Sequence, residues 1–180
     1  MSDQPQEPLP SAEAGDNEIR CMAVFTADYV ASESGKLYVS GGFFSAINFP
    51  SFPAVHPSLG IGIVLRVPFR EYHRDHHFTV TMIDADNNPL ELRVEGQFRV
   101  GADPQMRFGD PTIMPMAVNA SGVRFERAGD YRLAVTVDGQ QKGTWSLRAQ
   151  QTEARQSYWQ YGLVLMLLAL VGESVVGRAS

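Results

Sequence analysis

The densest run of side chains able to hold a hard cation is Asp84-Ala85-Asp86-Asn87-Asn88, with Glu95 eleven residues after Asp84. Carboxylate and amide oxygens at alternate positions, closed by a later glutamate, follow the ligand order of a calcium loop. The sixth position of such a loop needs glycine for its sharp turn, and here it is Pro89. The simpler reading is a hairpin turn, because Asp and Asn tolerate left-handed backbone. A looser calcium site would pool Asp84, Asp86 and Asn88 with a carboxylate from another loop. The second set lies in Tyr72-His73-Arg74-Asp75-His76-His77, whose imidazoles suit zinc or copper. Adjacent strand residues point to opposite faces, so His76 and His77 cannot share a metal there. His73 and His77 could converge if the strand begins early enough, with His56 or a carboxylate as third ligand; otherwise this is a solvated turn. The metal candidates are therefore Asp84, Asp86, Asn88, His73 and His77, and no other cofactor is expected.

Other chemistries find little support. Serines are plentiful, but none sits in a G-x-S-x-G elbow, and there is no Walker loop or dinucleotide fingerprint. The expectation is a protein that is not an enzyme. The single cysteine, Cys21, rules out an intramolecular disulfide and sits in an apolar run, where it reads as a small buried hydrophobe rather than a redox thiol. The formal net charge is −5, only Lys36 and Lys142 are lysines, and the arginines alternate with apolar residues. That leaves no basic stripe to neutralise phosphates, so no nucleic-acid partner is expected.

The elements that must position these residues have a period of two. Tyr131, Leu133, Val135 and Val137 alternate with Arg132, Ala134 and Thr136, as a half-buried strand does. Ala128-Gly129-Asp130 introduces it, and Asp138-Gly139 turns it into a returning strand carrying Trp145 and Leu147. Leu90, Leu92, Val94, Phe98 and Val100 face inward, while Glu91, Arg93, Glu95, Gln97 and Arg99 face outward. Slipping that register by one residue would bury the polar set. Further strands are predicted at Ile19–Thr26, Leu37–Phe44, around Ile61–Val67 and Phe78–Met82, and at Thr112–Val118 and Val123–Phe125. Gly41-Gly42, in an otherwise good strand, suggests a bulge or a close backbone approach. Asn48–Ser58 and Ala102–Pro111 read as long loops, either crossovers or binding loops. Eight or nine short strands without helical period predict an all-β, two-sheet antiparallel sandwich of Greek-key, immunoglobulin or C2-like type, with a closed barrel as the alternative. The expected division is a disordered arm at 1–17, the sandwich at 18–149, and a linker with an apolar tail at 150–180.

Thr26-Ala27-Asp28-Tyr29, Gly35-Lys36-Leu37 and Ser40-Gly41-Gly42-Phe43 together resemble the opening of an uncharacterised bacterial family, a domain of unknown function. Ala128-Gly129-Asp130-Tyr131-Arg132 and Val137-Asp138-Gly139 resemble its close, so the likeness covers roughly Ile19 to Ala149. It implies a β-sandwich and a bacterial origin, and no activity.

The ends differ in character. The first 17 residues lack the positive and apolar regions of a secretory signal and are rich in Pro, Gln, Glu and Ser. This places the expected protein in the cytoplasm or on the cytoplasmic side of a membrane. From Tyr158 to Val176 an ideal helix would reach about 28 Å, close to a hydrocarbon core of about 30 Å. The uninterrupted apolar part, Tyr161–Val171, reaches only about 17 Å, and Glu173 costs nearly what the strongly apolar residues together gain. The tail is thus a membrane anchor, a segment docked on the domain or a partner, or a plain extension. The leading functional reading is a non-enzymatic interaction module whose tail mediates self-, partner or membrane association. The second is a sandwich that binds a ligand, calcium or zinc through Asp84, Asp86 and the loops around His56 and His73.

Overall fold

The computed structural model describes residues 17–101 and 107–152. Most of the predicted arm, part of the loop at 102–111 and the apolar segment 158–176 lie outside the described residues. Ten strands are present: β1 Arg20–Ala27, β2 Tyr29–Glu33, β3 Lys36–Ser40, β4 Ala46–Phe49, β5 Ala54–Val67, β6 Asp75–Asp84, β7 Pro89–Arg99, β8 Thr112–Phe125, β9 Gly129–Val137 and β10 Gln140–Gln151. They form a three-stranded sheet, β1-β5-β8, a five-stranded sheet, β4-β10-β9-β6-β7, and a separate β2-β3 hairpin. All pairs are antiparallel except β4 with β10. Among the described residues no helix is long and apolar enough to cross a membrane.

The alternating patterns explain the layers. Ile61, Ile63 and Leu65 of β5 are fully buried, as are Val80 and Met82 of β6 and Leu133 of β9, and they belong to one hydrophobic core. Burying each such side chain contributes about 1.5–3 kcal/mol, enough to hold two sheets together without a disulfide. The predicted inward and outward sets of β7 and β9 keep their faces, except that Ala134 is also buried. Ala134 lies on the central strand β9, between Thr144 of β10 and Thr81 of β6, whose side chains shade so small a residue.

A partial third layer covers the outer face of the small sheet. Gly60 and Gly62 lack side chains where the outer face of β5 meets Val30 and Phe25; a Cβ on Gly62 would lie 2.3 Å from the Phe25 ring. That space lets Phe25, Ala27 and Val30 form a second small core. Asn119 of β8 fixes the hairpin by accepting from the Val30 N–H at 3.0 Å and donating to its carbonyl at 2.7 Å. Beyond β3, Gly41 and Phe43 both take positive φ, and Phe43 stacks on Phe25 with ring centroids 4.2 Å apart. The Phe44 carbonyl then accepts from both Thr26 Oγ1 and Trp145 Nε1.

Several boundaries differ from the sequence expectation. The strand predicted over Leu37–Phe44 ends at Ser40, because the two glycines turn the chain back over Phe25. Asn48–Ser58 is not a long loop: β4 runs to Phe49 and β5 starts at Ala54. The two strands predicted within 112–125 are one. Inward positions of β5 are Leu59, Ile61 and Ile63 on one side of Pro57 but Ala54 and His56 on the other, so the alternation breaks there. The register sets Pro57 opposite Gly122, which has φ +68°, so β5 and β8 change faces together without losing their pairing. A period-two reading sees that double switch as a loop. Cys21 is half-buried, at a bulge between Cys21 and Ala23 that leaves Met22 exposed.

Candidate functional site

The two polar constellations lie at opposite ends of β6. At its C-terminal end, Asp84 organises the turn into β7. Its Oδ1 accepts from the backbone N–H groups of Asp86 and Asn88, both at 2.9 Å, and Oδ2 accepts from Asn88 Nδ2 at 3.2 Å. Arg127, from the corner between β8 and β9, donates Nη2 to Asp84 Oδ2 at 3.2 Å and to Asp86 Oδ2 at 2.6 Å. The Asn88 backbone N–H is the main reason the Asp84 carboxyl is held below its ordinary value. A cleft of about 230 Å³ beside this turn is lined by Asp84, Leu90, Glu91, Arg124, Arg127 and Tyr131, among others. The Tyr131 hydroxyl donates to the Arg127 carbonyl at 2.7 Å, so Arg127 is held to β9 through its backbone and to the turn through its side chain.

At the N-terminal end of β6 the polar group is buried. His76 is 3% exposed and continues the inward series of Phe78, Val80 and Met82. Its ring lies 5.2 Å from Phe98, nearly parallel to it. Nδ1 is 2.7 Å from Asp138 Oδ2, and Nε2 is 3.2 Å from the Glu71 carbonyl. Carboxylate and carbonyl are both acceptors, so a ring bearing both protons satisfies the two contacts and a neutral ring serves one. Asp138 also accepts from the His77 N–H at 2.9 Å through Oδ1 and donates its own N–H to the His77 carbonyl at 2.8 Å. Partial burial pushes the Asp138 carboxyl up, but the hydrogen bonds of His76 and His77 outweigh it and hold the group below its ordinary value. A neighbouring cleft of about 190 Å³ is lined by Glu18, Arg70, Glu71, His76, Asp138 and Lys142, among others.

Asp84, Asp86 and Asn88 are together. His77, at the far end of β6, is about 23 Å from Asp84 along the strand. His73 is not on that strand: β6 begins at Asp75, and His73 sits in the preceding turn with φ 61° and its N–H on the Val100 carbonyl. Glu95 pairs with Thr79, five residues before Asp84 along β6. His56 lies in β5 opposite Val123, and burial pushes its imidazole down. Among the described residues no three His, Cys, Asp or Glu side chains converge where they could hold a metal ion. The sequence reading named neither Arg127 nor Asp138 as a site residue. The spacing of His76 from Phe78 carried a signal for the buried histidine, since both fall on one face.

The strand order defines an immunoglobulin-type sandwich. A three-stranded A-B-E sheet (β1-β5-β8) packs on a sheet ordered G-F-C-C′ (β10-β9-β6-β7), with β4 added beside β10. The Tyr131 bond to Arg127 is the tyrosine corner of such folds, at the start of strand F. The chain belongs to a family of unknown function, DUF6941, whose pattern matches residues 22–150. No curated protein matches it. Solved structures similar to it include the Pseudomonas fluorescens alkylpurine DNA glycosylase AlkC bound to DNA containing an abasic-site analogue, at 10% identity and TM-score 0.40. That match covers 74% of this chain but only 30% of the glycosylase. An immunoglobulin-like protein from Pseudomonas aeruginosa is similar at 12% identity and TM-score 0.35, over 76% of this chain and 99% of the other. Both scores are too low to bear on function.

Proposed function

We propose that this sandwich is an interaction module without catalytic activity, and that the apolar segment 158–176 mediates its association with itself, a partner protein or a membrane. The observation that carries the reading is the outward surface of the third layer. Tyr29 is 56% exposed, Tyr38 52% and Phe43 65%. The register sets Tyr29 opposite Ser40 and Ala31 opposite Tyr38, so the two tyrosines are diagonal neighbours on one face of the hairpin. Exposed aromatic surface of this kind marks interaction sites more often than scattered single side chains do. The polar clusters support the non-catalytic part. Both nitrogens of His76 face structural partners, and Asp84 and Asp86 are engaged by Arg127 and by the turn itself.

The test uses the purified full-length chain in sedimentation and in flotation with phosphatidylethanolamine–phosphatidylglycerol vesicles. Wild type floats or self-associates, and Leu165→Glu with Leu168→Glu removes the flotation or weakens the association while the thermal midpoint stays put. A wild-type chain that remains monomeric and does not float sinks the self-association and membrane forms of the reading.

A further inference from the structure

The edge of the five-stranded sheet carries the inference furthest. β7 is its last strand, and among the described residues no strand pairs with its outer side. Which backbone groups are free there follows from β6. His77 pairs with Asp138 at the turn of β9, giving its carbonyl to the Asp138 N–H and its N–H to the Asp138 carboxylate. In an antiparallel strand the N–H and C=O of one residue point the same way, and successive residues alternate. His77, Thr79 and Thr81 therefore bond toward β9, while His76, Phe78 and Val80 bond toward β7. Their partners on β7 are Phe98, Gly96 and Val94. The odd residues Arg93, Glu95 and Gln97 are left with N–H and C=O directed outward. This is an open edge, of the sort that recruits another strand.

We infer that the strand it fits is β7 of a second copy of this chain, added antiparallel and centred on Val94. β7 spans Pro89 to Arg99, and its pairing with β6 shifts between Arg93 and Pro89. A two-fold axis at Val94 therefore brings the regular stretch around Arg93–Glu95 together and lays the irregular end, Pro89–Leu92, against the second copy's Gly96–Arg99. In that register Arg93 faces the second copy's Glu95 and Glu95 faces its Arg93, both in hydrogen-bonded positions. Glu91 faces Gln97. Arg93 and Glu95 are already paired within each chain, with Nε–Oε1 at 2.6 Å, so the two copies build a four-membered cluster of alternating sign. Neighbouring registers are disfavoured. A shift one way sets Arg93 against Arg93 and Glu91 against Glu95. A shift the other way sets Glu95 against Glu95 while Glu91 gains only Arg99, which Asp75 already holds; like charges directly opposite are destabilising. A slip of odd length would exchange the faces altogether.

The inner face agrees with the same register. Val94 meets Val94, and Leu92 meets Gly96, the small position that a Cβ would drive into the Phe78 ring at 2.5 Å. Leu92 and Val94 also line an open groove of about 280 Å³ against Ala120 and Val123 of β8. A second copy continues the sheet over that side and shields it. The occupant is argued from charge: the Arg93–Glu95 pair at the centre of β7 is its own complement when reversed. This inference is independent of the tail.

Full-length protein is studied by sedimentation equilibrium, with and without Leu165→Glu and Leu168→Glu. Arg93→Glu makes the cluster uniformly negative and Glu95→Arg makes it uniformly positive; each is expected to weaken the dimer roughly tenfold or more. The double exchange, Arg93→Glu with Glu95→Arg, restores alternation and should return the dimer to about threefold of wild type. Both side chains are more than half exposed, so folding is retained, and thermal midpoints confirm it. Hydrogen exchange gives a second reading, with slow exchange at the Arg93, Glu95 and Gln97 N–H groups in the dimer. A monomer at every concentration overturns the inference. So does a dimer indifferent to Arg93→Glu, and if such a dimer is lost with the tail substitutions, the tail reading stands alone.

Discussion

The two ends of β6 each gather charged and polar groups, acidic and guanidinium at Asp84 and acidic and imidazole at His76, yet they bind the molecule together in different ways. At Asp84 the partners are in water: Arg127 is 61% exposed and Asp86 is 67% exposed, so their attraction is screened. At His76 the ring is in the core and its two acceptors have been drawn to it from separate turns, Glu71 before β6 and Asp138 after β9. The same kind of contact weighs little in the first place and much in the second, because a buried group that loses its partner has no water to replace it. Asp84 keeps only 16% of its side chain exposed, but its own turn supplies backbone N–H groups, whereas the His76 ring draws its acceptors from separate turns. The source of the partners, together with burial, decides which cluster the fold depends on.

Substitutions at the two ends can break this comparison. The largest effect is expected for His76→Ala, which removes two hydrogen bonds and opens space beside Phe98, at a cost of about 3 kcal/mol in urea unfolding. A loss below about 1 kcal/mol would mean the ring is not a structural link. Asp138→Asn comes next, with a loss of about 1–2 kcal/mol at neutral pH, since asparagine tolerates the positive φ but cannot serve as a charged acceptor. The acid limb sharpens the point. The folded Asp138 carboxyl lies below its ordinary value, so its contribution is complete above the unfolded value near about 3.9 and is lost as pH falls through the lower folded one. Wild type should therefore lose stability more steeply than Asp138→Asn below about pH 4. Parallel pH profiles would contradict that assignment.

Tyr131→Phe tests the corner at the other end. Its hydroxyl bond to the Arg127 carbonyl is worth about 1 kcal/mol, read as a shift in the denaturant midpoint with unchanged slope. Asp86→Ala should give the smallest effect, near the error of the measurement, because it removes an exposed ion pair from a turn that Asp84 already closes. If Asp86→Ala rivalled Asp138→Asn, the contrast between the two ends would be wrong.

Much of this was legible in the chain. The turn at Asp84–Asn88 follows from residues that bond their own backbone, a local property that needs no partner from elsewhere. The faces of β7 and β9 follow from period two. Arg127 was not legible as the partner of Asp84, because forty-three residues separate them and the pairing of β9 with β6, which sets Tyr131 opposite Asp84, is what brings the corner round. His76 shows a divided case: its inward direction was available from Phe78, but its partner Asp138 is sixty-two positions away. The joint change of face at Pro57 and Gly122 was concealed for a related reason. Each residue alone signals a break, and only pairing turns two breaks into one continuous ladder.

Strand content, the buried side of most strands and the places of the tightest turns were all readable in local side-chain order. Those properties depend on the side chains of residues a few positions apart. Strand order, the third layer over Gly60 and Gly62, the burial of His76 between two turns, and the place of β7 at the end of its sheet among the described residues came only with the tertiary arrangement. Each of these depends on which distant strands become neighbours, and that is settled by competition among whole sheet faces for the same core.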